Sequence, residues 1–485
     1  MSLESRIQTA LSRRAFFRRG SISLGSMALA SLMGRGGSPN AGAATAVDRG
    51  VPGVLTSLHH PPKAKRVIYL FQSGAPSHLD LFDYKPKLRE MSGVDLPDSV
   101  RKGQRITGMT SGQKNLFCVG SAFDFRRHGQ CGLEISDALP HLGKVVDDIA
   151  LLRAVHTDPI NHDPAVTYLF SGHQQPGRPT LGAWASYGLG SENSNLPAFI
   201  VLLSGRGGQS LQSRYWGSGF LPSSHQGVQF RGVGDPVLFF SNPPGMGEAA
   251  RREMLDDVQA LNRFQLERVG DPEIATRIEQ YEMAFRMQTS VPELMDLSKE
   301  SAETLSLYGA KPGEASFANN CLLARRLVER GVRFVKLIHR DWDHHGGLPD
   351  GIRNQAKLTD QPSAALIQDL KQRGLLDDTL VVWGGEFGRT SYCQGALRKE
   401  SFGRDHHPRC YSLWLAGGGI RGGVAHGQTD EFGYNIVDGA VHIHDLHATI
   451  LHCLGVDHER LTYRFLGRDF RLTDIAGKVV REILA

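Results

Sequence analysis

No uninterrupted apolar run among the 485 residues reaches the roughly 20 that a membrane-spanning helix needs, so no transmembrane span is expected. The six cysteines, Cys118, Cys131, Cys321, Cys393, Cys410 and Cys453, contain no CxxC pair, which leaves any metal site to nitrogen and oxygen ligands. Buried free thiols are the simplest expectation; Cys118–Cys131 and Cys393–Cys410 are the pairs that could bridge after folding. There is no phosphate-binding P-loop, because Gly417 to Gly423 lacks the closing Gly-Lys-Ser/Thr. A Gly-x-Ser-x-Gly nucleophile elbow and internal repeats are missing too. The charge excess is local: residues 1–46 hold six Arg and one Glu, and the whole chain carries +5. The remainder is therefore near neutral, and nucleic acid loses its electrostatic basis as a partner.

What is present begins with an export pattern. Ser12-Arg13-Arg14-Ala15-Phe16-Phe17 matches a twin-arginine motif, Gly20 to Met33 supplies a weakly apolar stretch, and Ala41-Gly42-Ala43 resembles a signal peptidase site. Residues 1–46 are expected to be removed and the protein to be periplasmic or otherwise exported, with the twin-arginine machinery as a partner. Residues 47–485 then read as one domain. Short apolar runs at Arg66–Phe71, Ile149–Val155, Ala198–Leu203, Val332–Ile338, Thr379–Trp383 and Tyr411–Ala416 read as buried strands. Helical patterns fall between them: Ser136–Val146, a helix ending at Gly172, Ala315–Arg330, Gln361–Arg373, and Leu446–Leu454 with Asp445 as N-cap. This alternation predicts an α/β fold, a mainly parallel sheet with helices on both faces. A charged helical stretch at 247–290 predicts an insertion or cap over about 205–300.

The unusual polar residues gather in loops that follow strands: Ser73–His78, His156–Asp163, Asp341–His345 and Gly385–Thr390, with Gly403–Pro408 just before a strand. In a parallel sheet these loops share one edge, where open α/β sheets place their ligands. His, Asp and Glu without paired Cys suit a divalent ion, Zn²⁺ first, with Mn²⁺ or Ca²⁺ as alternatives. Asp343 and His345 can converge on one ion in an extended segment; Asp341 and His344 are read as loop residues or as partners behind the ligands. Arg389 and Arg404 are candidate forks for a sulfate or phosphate group. His442, His444 and His447 are read as a strand entering a helix rather than a second metal site.

Taken together, Lys65-Arg66-Val67, Phe82-Asp83-Tyr84-Lys85-Pro86, Asn161-His162-Asp163, Trp342-Asp343-His344-His345, Gly385-Glu386-Phe387-Gly388-Arg389-Thr390, Gly403-Arg404-Asp405-His406-His407-Pro408 and Asp445-Leu446-His447-Ala448-Thr449 resemble the exported bacterial family known as domain of unknown function 1501. That family is grouped with the alkaline phosphatase/sulfatase superfamily. The resemblance implies an alkaline-phosphatase-like fold and a metal set of Asp343, His345, Glu386 and His406. The superfamily's first-strand metal-binding acid falls near Gln72 or Ser73 here. In sulfatases the nucleophile segment is Cys-x-Pro-Ser-Arg; here His162-Asp163-Pro164-Ala165-Val166 takes its place, so a formylglycine is not implied. His162 becomes a ligand, a general base or a covalent nucleophile, in that order.

Two functions follow as expectations. One is an exported, metal-dependent hydrolase of anionic small-molecule or polysaccharide esters, with His162, Arg389 and Arg404 as its catalytic residues. The other is a non-catalytic binding protein that kept the fold and part of the metal site.

Overall fold

The computed structural model describes residues 50–485, except 206–209, 233, 238–241, 243–244 and 399. The expected signal segment, residues 1–46, lies outside the described residues.

The strands that build the central sheet and the site are, in chain order, β1 (Arg66–Gln72), β2 (Ile149–His156), β3 (Phe199–Ser204), β4 (Val228–Phe230), β5 (Phe334–His339), β6 (Thr379–Gly384), β7 (Gly388–Gln394), β8 (Gly403–His407), β9 (Tyr411–Ala416), β10 (Val424–His426) and β11 (Val441–His442). All but β7 and β8, which pair with each other, form one sheet in the order β10-β2-β9-β6-β1-β5-β3-β4, with β11 beside β2. Every pairing is parallel except those of β9, which runs antiparallel to β6 and β2. The expected mainly parallel α/β architecture is therefore present.

The helices used below are α1 (His162–Ser171), α2 (Glu248–Val269), α3 (Pro272–Met295), α4 (Phe317–Glu329), α5 (Leu348–Gln372) and α6 (Ile443–Cys453). Strand β1 shows why helices cover both faces. Ile68 and Leu70 join one buried cluster with α4 and α5, while Val67, Tyr69 and Phe71 join another with α1 and α6. Successive side chains of a strand point to opposite faces, so a run with no polar interruption must be buried twice.

Several local expectations shift. Residues 136–146 do not form a helix: Leu133–Ser136 is a strand, followed by single 3₁₀ turns at Leu142–Lys144 and Val146–Asp148. Pro140 and Gly143 interrupt the apolar spacing that suggested otherwise. Helix α5 begins at Leu348 and carries Pro362 inside it. Helix α6 begins at Ile443, with His442 as N-cap and Asp445 as the reciprocal partner three residues on, a capping box. The charged insertion is two helices parted at Gly270, which has a left-handed φ, and β4 within the same span joins the sheet edge. All six cysteines are free thiols; five are buried and Cys131 is exposed.

Register places the site. Gln72, Ser204 and His339 lie side by side at the carboxyl ends of β1, β3 and β5, and Gly384 lies beside Phe71. Because β9 is reversed, the segment before it reaches this same edge. That explains why the cluster Gly403–Pro408 precedes its strand while the other polar loops follow theirs.

Candidate metal centre

At this edge four side chains from a helix start, one loop and a hairpin meet. His162 is the first residue of α1, Asp343 and His345 lie between β5 and α5, and His406 is on β8. Their ligand atoms all lie within 4.8 Å of one another. Asp343 Oδ1 is 2.9 Å from His345 Nε2, 3.3 Å from His162 Nε2 and 3.6 Å from His406 Nε2. His345 Nε2 and His406 Nε2 are 3.1 Å apart. A tetrahedral ion with bonds of about 2.0–2.1 Å needs donor atoms about 3.3 Å apart, which these four contacts bracket.

The other ring nitrogens are what decide the matter. His162 Nδ1 donates to Glu386 Oε1 at 2.5 Å, His345 Nδ1 to Gln394 Oε1 at 2.5 Å, and His406 Nδ1 to the Ile160 carbonyl at 2.9 Å. Each acceptor takes only a proton, so in each neutral imidazole the lone pair sits on Nε2. Two lone pairs 3.1 Å apart repel unless a cation lies between them. Imidazoles whose outer N–H is tied to an oxygen while Nε2 turns inward are the usual arrangement around a bound metal. The residues present therefore fit a divalent ion such as Zn²⁺.

Backbone geometry delivers these groups. Asp341 has a left-handed φ of 83°, which redirects the chain just before Asp343. Gly74 passes so close that a Cβ there would lie 2.6 Å from the Asp343 amide nitrogen. Gly403 packs against the His345 carbonyl, where a Cβ would lie 1.9 Å from the oxygen.

Burial alone would raise the Asp343 pKa, but with no ion bound, imidazoles that carry a proton on Nε2 donate to it and, with the charge of Arg389, hold it far below the usual carboxylate range. His162 loses basicity to burial and regains more from Asp343 and Glu386, so it ends above its ordinary value. His406 is lowered to about 4, chiefly by burial.

The expected residues divide. His162, Asp343, His345 and His406 are together. Glu386 stands one step out: fully buried, it accepts from His162 Nδ1 and from the Gly74 amide at 3.1 Å instead of facing the centre. Arg389 is not an open fork. It contacts Asp343 at 2.6 Å and also donates to the carbonyls of Gly74, Ala75 and Arg404, leaving it 1% exposed. Arg404 is fully buried against Asp80 at 2.8 Å and the carbonyls of Thr390 and Val119, so no ester can reach it. Gln72 is turned away and accepts from Trp342 Nε1 at 2.9 Å. His344 is half-buried beside Gly351, outside the converging set. Sequence reasoning missed Gln394 and the Ile160 carbonyl. Nothing along the chain marks either; only the β7–β8 hairpin and the fold of the 157–161 loop bring them in.

The chain belongs to the family described as protein of unknown function (DUF1501). The family model matches residues 64–484. No curated protein matches the chain. Similar solved structures include the lipoteichoic acid synthase LtaP from Listeria monocytogenes, at 9% identity over 85% of this chain and 74% of that one, with a TM-score of 0.36. Alkaline phosphatase from the Antarctic bacterium TAB5 is 10% identical over 82% of this chain and 99% of its own, with a TM-score of 0.30. The phosphonate monoester hydrolase SpPMH from Silicibacter pomeroyi is 11% identical over 71% of each chain, also with a TM-score of 0.30. These likenesses are distant.

Proposed function

We propose that this DUF1501 protein is a metal-dependent hydrolase of anionic esters, sulfate or phosphate, acting outside the cytoplasm. One observation carries the metal part: three imidazoles each commit Nδ1 to an oxygen and aim Nε2 at Asp343. A divalent ion held there would polarise an ester oxygen and make water a competent nucleophile near neutral pH. The chain's own residues do the positioning. Glu386 and Gln394 fix two ring orientations, and Arg389 keeps Asp343 ionised. With a 2+ ion counted, Asp343, Glu386 and Arg389 leave one net positive charge, which favours an anionic substrate. Entry is on the side of His345 and Asp343, whose side chains are 27% and 18% exposed. The ester class rests on the family resemblance of the sequence, and export rests on the Arg13-Arg14 motif.

A second reading, an exported protein that holds an ion without turnover, is favoured by two facts. Four side chains could by themselves fill a tetrahedral shell, and both arginines are spent inside the protein.

Metal analysis of the purified full chain, with hydrolysis rates on aryl sulfates, phosphate monoesters, phosphodiesters and phosphonates, separates the readings. The hydrolase reading expects about one ion per chain and turnover that is lost in His345→Ala. A metal-free active protein, or equal rates in the variant, would sink it. Bound metal with no turnover on any ester favours the second reading. Arg13 and Arg14 changed together to Lys should leave the chain in the cytoplasm on fractionation; unchanged export would remove the twin-arginine assignment.

A further inference from the structure

The β7–β8 hairpin that carries His406 falls out of register beside that residue. Arg389 lies opposite His406 and Cys393 opposite Arg404, so Thr390, Ser391 and Tyr392 bulge over the single residue Asp405. A bulge bends its strand and re-aims the side chains next to it. Side chains take the place of the missing ladder bonds. The Asp405 amide donates to Thr390 Oγ1 at 3.0 Å, and Asp405 Oδ1 accepts from the His406 amide at 2.7 Å. Asp405 Oδ2 accepts from the hydroxyls of Thr107 and Thr110, the second at 2.6 Å. Asp405 is fully buried, and its neighbour Arg404 is taken up by Asp80. Among the described residues this carboxylate is therefore met by hydrogen bonds alone, and burying one is costly unless its donors are firmly held. They are. Thr107 Oγ1 also accepts from the Met109 amide at 3.1 Å, while Gln113 donates to the Cys393 carbonyl at 3.3 Å and accepts from the Gly395 amide at 2.7 Å. Gln113 thus grips both neighbours of Gln394, the residue that holds His345 Nδ1. The Cys393 amide donates to the Phe117 carbonyl at 2.9 Å and the Val119 amide to the Ser391 carbonyl at 3.0 Å, so the same excursion of the chain also borders the bulge.

We propose that residues 107–113 are a brace set behind the metal centre, and that Asp405, held by Thr107 and Thr110, is the positioning residue that fixes where His406 points. The Ile160 carbonyl sets the rotation of the His406 ring, and Asp405 sets the backbone from which that ring hangs. Removing one hydroxyl frees the strand to shift within the bulge, which moves Nε2 relative to the ion while all four ligands stay in the chain. The proposal rests on the metal reading of His162, Asp343, His345 and His406. A purely structural role for these hydroxyls gives a different outcome: lower stability with an unaltered centre.

The test is Co²⁺ loading of the purified full chain, read by visible absorption and by competition with a chelator, at a temperature where every variant is folded. Thr110→Val keeps the shape of the side chain and removes its hydroxyl. Its Co²⁺ affinity should fall about tenfold, the low end of what an outer partner costs, and the absorption bands of the bound ion should shift. Thr110→Ser keeps the hydroxyl and should hold both at wild type. Tyr308→Phe is the control. Tyr308 is fully buried and donates to Asp369 at 2.9 Å, about 30 Å along α5 from the end that adjoins the centre. That variant should melt at a lower temperature with affinity and bands unchanged. If Thr110→Val does not fold, Thr107→Val carries the same expectation. Unchanged affinity and bands in the Val variant, a Ser variant that behaves like Val, or an equal affinity loss in Tyr308→Phe would overturn the proposal. A wild type that takes up no ion would overturn the metal reading itself, and the brace with it.

Discussion

His162, His345 and His406 come from three separate parts of the chain and turn Nε2 toward one carboxylate oxygen. His442, His444 and His447 lie within six residues at the same edge of the sheet, yet their nitrogens go to separate partners. His442 Nδ1 accepts from the His444 amide and caps α6; His444 Nε2 donates to the Gly172 carbonyl at 2.9 Å, and His447 Nε2 to the Leu169 carbonyl at 2.6 Å. Among the described residues only the first group converges in a way that could hold an ion. The contrast shows that closeness in sequence says little about a metal site. What matters is where the second nitrogen of each ring is held, since that decides where the first one points.

The comparison is broken most directly by truncating a matched pair. His406 and His447 are both buried, and each gives one N–H to a backbone carbonyl. His406→Ala should release the ion, with an affinity loss beyond the about 10–100-fold that an outer partner costs. His447→Ala should keep the ion and instead lose stability, by about 2–4 kcal/mol from the cavity and the stranded carbonyl. Metal content after dialysis, and melting in the presence of a chelator, measure the two effects. Equal metal loss in both variants would erase the distinction.

Much of this architecture was legible because apolar runs bounded by glycine and polar loops can do little else than form buried strands. The six central strands lie where the runs lie. Asp343, His345 and His406 were legible from residue type and position at strand ends, helped by the family resemblance. Glu386, expected among the metal ligands, and Arg389 and Arg404, expected at the substrate, all sit further back, for one physical reason. Charged side chains of the same kind either face a ligand or cancel a buried partner, and only packing tells which. Arg404 spends itself on Asp80, and Arg389 on Asp343 and three carbonyls. The reversal of β9, which brings His406 to the edge, comes from sheet order and has no local signature.

A smaller effect sharpens the role of the outer partners. Glu386→Gln keeps the shape of the side chain but removes the charge facing His162 Nδ1, so metal affinity should fall about 10–100-fold. Gln394→Ala should cost less. Its oxygen is neutral, and His345 is exposed enough for water to take over the hydrogen bond. Metal titrations of the two variants against wild type give the order; a larger loss in Gln394→Ala would mean that charge behind the ring is not what orients it.

The last and smallest effect is a proton. Burial, then the neighbouring His444, pushes the His447 pKa down to about 3, so the folded protein keeps this imidazole neutral. The unfolded chain takes up a proton at about pH 6.5. The neutral ring's contribution to stability is thus fully present above pH 6.5 and is lost as pH falls from there toward 3. His447→Gln still offers an N–H to the Leu169 carbonyl but has no proton to gain. Its stability curve below pH 6.5 should be shallower than wild type by one proton, about 1.4 kcal/mol per pH unit. Urea melts between about pH 4 and 8, with metal removed so that the first histidine group adds no ion-binding term, measure the slope. An unchanged slope would mean that the buried imidazole, whose Nδ1 has no hydrogen-bond partner, is nevertheless protonated in the folded state. The two histidine groups would then differ less in chemistry than in place.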